Sequence, residues 1–159
     1  MTDVAGTDAT MTLIQRIESA MRDAMRARDE QRTLTLRSAM AAAHNQRIAK
    51  GRELTDDEVI DVLGRQVKQR RESITMFRDA GREDRATDEE AEAAILAEFL
   101  PAQLSEAEIT ELVRTAIAET GASSPADLGR VMGAVSPSTK GRADGALVSG
   151  IVRRLLDEA

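Results

Sequence analysis

Apolar residues recur every three or four positions along most of the chain and nowhere alternate. The first stripe is Leu13, Ile17, Ala20, Met21, Ala24 and Met25. A second places Leu34, Leu36, Met40, Ala41 and Ala43 inward, and the longest sets Ile60, Leu63, Val67, Ile74 and Phe77 on one face. The last runs through Leu147, Val148, Ile151, Val152 and Leu155. Each follows the 3.6-residue period of an amphipathic helix. No stretch shows sustained period-two alternation with β-branched residues, so no strand is predicted and the fold class is all-α.

Polar punctuation sets the boundaries. Thr12 with Gln15, Thr55 with Glu58, Thr87 with Glu90 and Ser105 with Glu108 each fit a capping box. In that motif a hydroxyl accepts from an otherwise unpaired helix N–H and the later side chain reaches back. Ser124-Pro125 supplies a cap and a proline at the first helical position, and Asp144 a further start. Stops fall at Gly51, Gly81 and Gly121, and before Pro101 and Pro137. Helices are therefore predicted near residues 12–28, 29–49, 55–80, 87–99, 105–119, 124–134 and 144–157. Asp29 either starts the second helix or kinks one long one.

Pro101 marks the main break. Leu100 and Leu104 flank the turn, so residues 11–99 read as a helical N-terminal domain of long helices, 100–104 as a linker and 105–159 as a small helical tail domain. Hydrophobic residues make up 42% of the 159, enough for a core. Only Phe77 and Phe99 are aromatic, which suits Leu-, Ala- and Met-filled helix packing. Cysteine is absent, which removes disulfides, thiol catalysis and Cys-based metal sites. No apolar run approaches the roughly 20 residues of a membrane span. Met1 to Thr10 carries two acids and no basic region, so it reads as a loose tail and not a secretion signal. These features together point to a cytoplasmic protein with no membrane role and no cofactor.

Charge is uneven. Residues 11–85 hold sixteen bases and thirteen acids, residues 86–125 one base and nine acids, and residues 126–159 five bases and four acids. An acidic middle thus separates two segments with basic surfaces. Arg65, Lys68, Arg70 and Arg71 form the densest basic cluster. It reads either as an ion-paired solvent face or as a phosphate-facing stripe. Asp56, Asp57 and Glu58 lie in a first helical turn, where acids complement the dipole, and no further ligand is placed to complete a metal site. His44, the only histidine, lies late on a helix without the neighbours of a triad and reads as solvated or edge-packed.

In the tail, Gly129 and Gly133 are four residues apart on one short helix. They permit close approach either of a neighbouring helix or of a ligand backbone. Beyond them, Lys140 and Arg142 flank Gly141, and Asp144 is placed to cap the last helix. A glycine-containing turn with bases at a helix start favours anions. The phosphate-loop pattern is missing, so the turn and the cap explain the glycines and Asp144, and only the two bases call for a further reason.

Three stretches carry a family resemblance. They are Val67-Lys68-Gln69-Arg70-Arg71-Glu72-Ser73 with Phe77, then Phe99-Leu100-Pro101-Ala102-Gln103-Leu104-Ser105, then Gly129-Arg130-Val131-Met132 through Lys140-Gly141-Arg142-Ala143-Asp144-Gly145 and Val148. In order and spacing they resemble the YqeY-like proteins, whose tail is the GatB/YqeY domain shared with the B subunit of tRNA-dependent amidotransferases. The resemblance implies an all-α fold with a helical tail that contacts tRNA. For this chain it implies RNA contact by Arg130, Lys140, Gly141 and Arg142; Arg65, Lys68, Arg70 and Arg71 stand as a second candidate nucleic-acid surface on their charge alone. It implies no active site, because the amidotransferase's catalytic parts have no counterpart here. A label of carbon–nitrogen ligase with glutamine as amido donor would be inherited from the complex. The expected function is that of a non-catalytic tRNA-binding or accessory protein, associated with aminoacyl-tRNA amidation machinery. The alternative is a helical protein-interaction module without RNA binding.

Overall fold

The computed structural model describes residues 10–159, so the tail reading of Met1 to Thr10 lies outside the described residues except at Thr10. Among the described residues the fold is all-α, with no strand. The chain divides into two compact units, one ending at Leu100 and the other spanning Pro101–Ala159.

The first unit consists of two helical hairpins, α1 (Leu13–Arg26) with α2 (Glu30–Lys50) and α3 (Asp56–Asp79) with α4 (Glu83–Ala97). Their shared core is built from Leu13, Ile17, Leu36, Ala39, Val59, Leu63, Val67 and Leu96. Thr12 and Gln15 form the expected capping box at α1. The same helix start is held from outside, because the Leu13 N–H donates to Asp56 Oδ1 at 3.0 Å. Asp56 therefore joins two helix starts, which accounts for it better than dipole compensation alone.

Between α1 and α2 the backbone reverses through Arg28, at φ 56°, with the Asp29 N–H donating to the Ala24 carbonyl at 2.9 Å and the Arg28 N–H to Met25 at 3.2 Å. This is a Schellman stop with arginine where glycine is usual. Asp29 then caps α2 by accepting from the Arg32 N–H. Asp29 thus starts a separate helix and does not kink a single one.

Two expectations are corrected in this unit. The fourth helix starts at Glu83, not at residue 87, and Thr87 lies exposed inside it. Gly81, at φ 71°, turns the chain within two residues, and the Arg82 N–H reaches the Phe77 carbonyl at 2.7 Å. Arg78 pairs with both Glu83 and Glu90, and Ala86 is fully buried, so the extra turn pays for itself in tertiary contact. The inward face of α2 is the second correction. It is Thr35, Leu36, Ala39 and Ala43, with Met40 half-buried, whereas Leu34 and Ala41 face solvent. Met25 on α1 is exposed as well.

Glu58 closes the α3 capping box and also pairs with Lys50 and Arg52. The Arg52 guanidinium first, then Lys50 and the Thr55 N–H, hold its carboxyl well below the usual carboxylate range. A depressed folded-state pKa contributes stability that is present above the unfolded value of about 4.3 and is lost as pH falls through the folded value. Glu58→Gln keeps a capping-box residue but removes the charge. The variant is expected to be less stable than the parent at neutral pH and to converge on it in acid. Urea midpoints measured from neutrality down to the acid limit of folding check this, and a parallel offset at every pH would contradict it.

The second unit packs α5 (Glu106–Thr120), α6 (Leu128–Thr139) and α7 (Gly145–Asp157) around Ile109, Val113, Val131, Val135, Val148, Ile151, Val152 and Leu156. Ser105 and Glu108 form the expected box at α5, and Gly121, at φ 68°, ends the helix. Ser124-Pro125 opens a short 3-10 turn, Pro125–Asp127, that leads into α6. The stop expected before Pro137 is corrected, because α6 runs through it to Thr139. Val131, Val135 and Thr139 are spaced four apart and all buried, so extending the helix seals the core. The proline removes only the donor to the Gly133 carbonyl, and Gly133 is exposed where water can satisfy it. At the former linker, Leu100 packs against the first core and Leu104 against the second.

Candidate nucleic-acid interface

The α6–α7 turn is built by long-range backbone pairing. The Leu104 N–H donates to the Arg142 carbonyl at 2.8 Å, and Gln103 Nε2 donates to the Gly141 carbonyl at 3.0 Å. In return, Arg142 Nε donates to the Ala102 carbonyl at 3.2 Å and Nη1 to the Ser138 carbonyl at 3.4 Å. Gly141 sits at φ 72°, the left-handed conformation that a side chain disfavours. Arg142 is half-buried and its guanidinium is engaged by main-chain oxygens, so it fastens the 101–105 segment to the turn.

The anion site expected at the start of α7 is filled from within. Asp144 Oδ1 accepts from the Ala146 N–H at 3.0 Å, which places the chain's own carboxylate at that terminus. The bases of this region act elsewhere. Arg130, Gly133 and Pro137 follow one another by three or four residues and so share one face of α6, Lys140 follows directly as its C-cap, and all four are exposed. Ten residues separate Arg130 from Lys140, a rise of roughly 15 Å. A base therefore stands at each end of a low platform floored by glycine and proline. Arg130 Nη2 is tethered to Asp127 Oδ1 at 2.8 Å. The Ser123 N–H first, with the Ser124 N–H and Arg130, holds the Asp127 carboxyl below its ordinary value.

The outer face of α7 repeats the arrangement. Gly150 is exposed beside Arg153 and Arg154, opposite the buried Val148, Ile151 and Val152. Arg154 reaches Glu106 at 3.7 Å. These two arginines were not among the expected site residues. Their signal was available, since they lie opposite the apolar stripe of the last helix.

The glycines in α6 have no internal explanation. A methyl group built on Gly129, Gly133 or Gly150 would meet nothing within 4 Å beyond its chain neighbours and the backbone of its own helix. None of the three has a positive φ. The reading in which Gly129 and Gly133 admit a neighbouring helix is therefore corrected.

On α3 the basic cluster separates. Arg65, Lys68 and Arg71 are exposed on the outer face at three-residue steps. Arg70 turns the other way, half-buried, with Nε 3.3 Å from Glu92 of α4 and Nη1 3.1 Å from Gln66. Arg70 ties α3 to α4, and the outward stripe is the other three. His44 is exposed, with Nδ1 3.3 Å from Arg47 Nη2, at the rim of a cavity floored by Ile14, Met40, Ala43, Leu54 and Val59. No helix among the described residues is long and apolar enough to cross a membrane.

Comparison with known proteins gives a consistent picture. The family model described as "Yqey-like protein" matches residues 14–156. "Altered inheritance of mitochondria protein 41, mitochondrial" from Pyrenophora tritici-repentis is 32% identical over 136 residues, covering 82% of this chain and 73% of the relative. The protein of the same name from Lachancea thermotolerans is 30% identical over 125 residues, covering 76% of this chain and 66% of the relative. These names overturn the expectation of a cytoplasmic protein, since both relatives are designated mitochondrial. The physical reason is plain: missing cysteines and missing apolar spans limit redox chemistry and membrane crossing, and neither tells one aqueous compartment from another.

Proposed function

This chain belongs to the YqeY-like family, and from that premise we propose that it is a non-catalytic accessory protein whose C-terminal unit docks folded tRNA, in association with tRNA-dependent amidation. The observation that carries the proposal is the set of exposed helical glycines flanked by bases. Each glycine inside a helix costs about 1 kcal/mol relative to alanine. At Gly133 and Gly150 no internal contact offsets that cost, and a surface that a phosphate backbone must approach closely would. Arg130 on α6 and Lys140 at its C-cap, and Arg153 and Arg154 on α7, supply the positive charge beside them.

With only two phenylalanines in the chain, stacking on unpaired bases is not the recognition mode. A flat, basic, side-chain-poor platform suits the sugar–phosphate surface of a folded RNA, read by shape. The tail's resemblance to that of the amidotransferase B subunit points to tRNA in particular, and the association with amidation rests on the same resemblance.

Gly133→Ala and Gly150→Ala are each expected to raise stability by about 1 kcal/mol. Gly133→Leu and Gly150→Leu are expected to fold equally well and to weaken binding of a folded tRNA transcript by about tenfold or more, equivalent to roughly 1.4 kcal/mol. Thermal unfolding and fluorescence anisotropy on the same samples read the two effects. Leucine variants that bind as tightly as the parent would remove the glycine platform from the proposal.

A further inference from the structure

We propose that the outer face of α3 is a second phosphate-backbone contact, made by Arg65, Lys68 and Arg71 around the bare main chain at Gly64. This contact presupposes the RNA-docking reading of the C-terminal unit and carries it into the first unit. All three bases are exposed and follow one another at three-residue steps. Each step rises roughly 4.5 Å, so three positive groups stand along roughly 9 Å of one helix.

The three bases are free in a unit where pairing is common. Arg32 reaches Glu98, Arg47 reaches Glu53, Arg70 reaches Glu92 and Arg78 reaches Glu90. Asp61 and Glu72 stand four residues from Arg65 and Lys68, the spacing of a helical ion pair. Among the described residues neither of those pairs forms, and Arg71 has no carboxylate partner either. The reading of this stripe as an ion-paired solvent face therefore fails, and its cationic groups are left for an anion from outside.

Gly64 points the same way. It lies inside α3, four residues before Lys68 and seven before Arg71, and so on their side of the helix. Glycine is the least favourable residue short of proline in a helix interior. A methyl group built on it would meet nothing within 4 Å beyond its chain neighbours and the backbone of its own helix, and its φ is not positive. Neither packing nor a turn requires glycine there, whereas a ligand backbone that comes close to the helix would.

The chemistry of the face selects a phosphate backbone over other anionic partners. The exposed neighbours of the three bases are Gln69, Glu72 and Thr75, and Met76, the large apolar residue that α3 exposes, lies past the stripe. A protein partner would be held by large anchoring side chains seated in pockets. A helix lying on a membrane would turn its apolar face outward, but Val67 is buried in the core of the unit and Ile60 packs against it. A phosphate backbone needs only positive groups and close approach.

The test compares three full-length proteins binding one folded tRNA transcript across a salt series. They are the parent, an Arg65→Gln/Lys68→Gln/Arg71→Gln triple variant and an Arg130→Glu/Lys140→Glu double variant. Glutamine keeps the helix propensity of the three sites, so the triple variant is expected to unfold at the parent's temperature. It is expected to bind about tenfold or more weakly at low salt, with a salt slope shallower by about 2.1–2.7 for three lost phosphate contacts. Parent-like affinity and slope in the triple variant, beside a weakened double variant, would overturn the α3 contact and leave the RNA-docking reading standing. A weakened triple variant beside a parent-like double variant would support the α3 contact and remove the platform on α6. No complex with the parent at low salt would overturn both. Gly64→Ala is expected to raise the unfolding temperature, and Gly64→Gln to fold as the parent does while weakening tRNA binding by about fivefold or more. A Gly64→Gln variant that binds as tightly as the parent would overturn the role of the bare main chain.

Discussion

Truncating Leu36 to alanine is expected to lower stability by about 2–5 kcal/mol, the usual cost of emptying a core leucine site. Leu36 has no exposed surface and packs in the cluster that α1, α2, α3 and α4 share. Little backbone freedom remains to collapse the hole, because Leu13, Ile17, Leu63 and Leu96 around it are themselves nearly fully buried. Leu34, two residues earlier, points the other way, and Leu34→Ala is expected to change the same measurement by less than about 0.5 kcal/mol. Urea unfolding followed by helical circular dichroism gives both values. Equal costs at the two leucines would contradict the assignment of the inward face of α2.

Arg142→Ala is expected to cost about 0.5–1.5 kcal/mol, the net range for a typical hydrogen bond, because Ala102 and Ser138 are exposed and water can replace the lost donor. The carbonyls of Ala102 and Ser138 lose their donor, and the pairing of Leu104 and Gln103 with the turn loses its clasp. Arg142→Lys keeps the positive charge but not the planar fork that reaches two carbonyls at once. It is expected to recover little of the stability. Thermal unfolding of the two variants checks this. Full recovery by lysine would mean that Arg142 contributes charge alone, and would return it to the RNA-facing set.

Much of this architecture is legible in the chain itself because its local signals are strong. The boxes at Thr12, Thr55 and Ser105 and the glycine stops at Gly51, Gly81 and Gly121 set most helix ends within a residue or two. Where local and tertiary preferences compete, the sequence alone misleads. Thr87 carries a valid capping signal, but burial of Ala86 and the pairing of Arg78 with Glu83 start the helix a turn earlier. Pro137 carries a valid stop, but the core position of Thr139 carries α6 past it.

On α2, the stripe of Leu34, Leu36, Met40, Ala41 and Ala43 mixes two faces. Alanine is compatible with either side, so only contact with α1, α3 and α4 decides. Site residues divide along the same line. Arg130 and Lys140 are recognisable as surface bases from spacing alone. Arg70 and Arg142 look equivalent to them in sequence, but their partners, Glu92 and Ala102, are 22 and 40 residues distant and carry no local mark.

Salt dependence of tRNA binding by the full chain, compared with an Arg130→Glu/Lys140→Glu double variant, is the most direct test of the RNA-docking surface on α6. The logarithm of the parent's association constant is predicted to fall linearly with the logarithm of salt concentration. The double variant is predicted to bind more weakly at every salt concentration, with a slope shallower by about 1.4–1.8 for two lost phosphate contacts. Absence of any complex at low salt, or identical slopes and affinities for the two proteins, would contradict it.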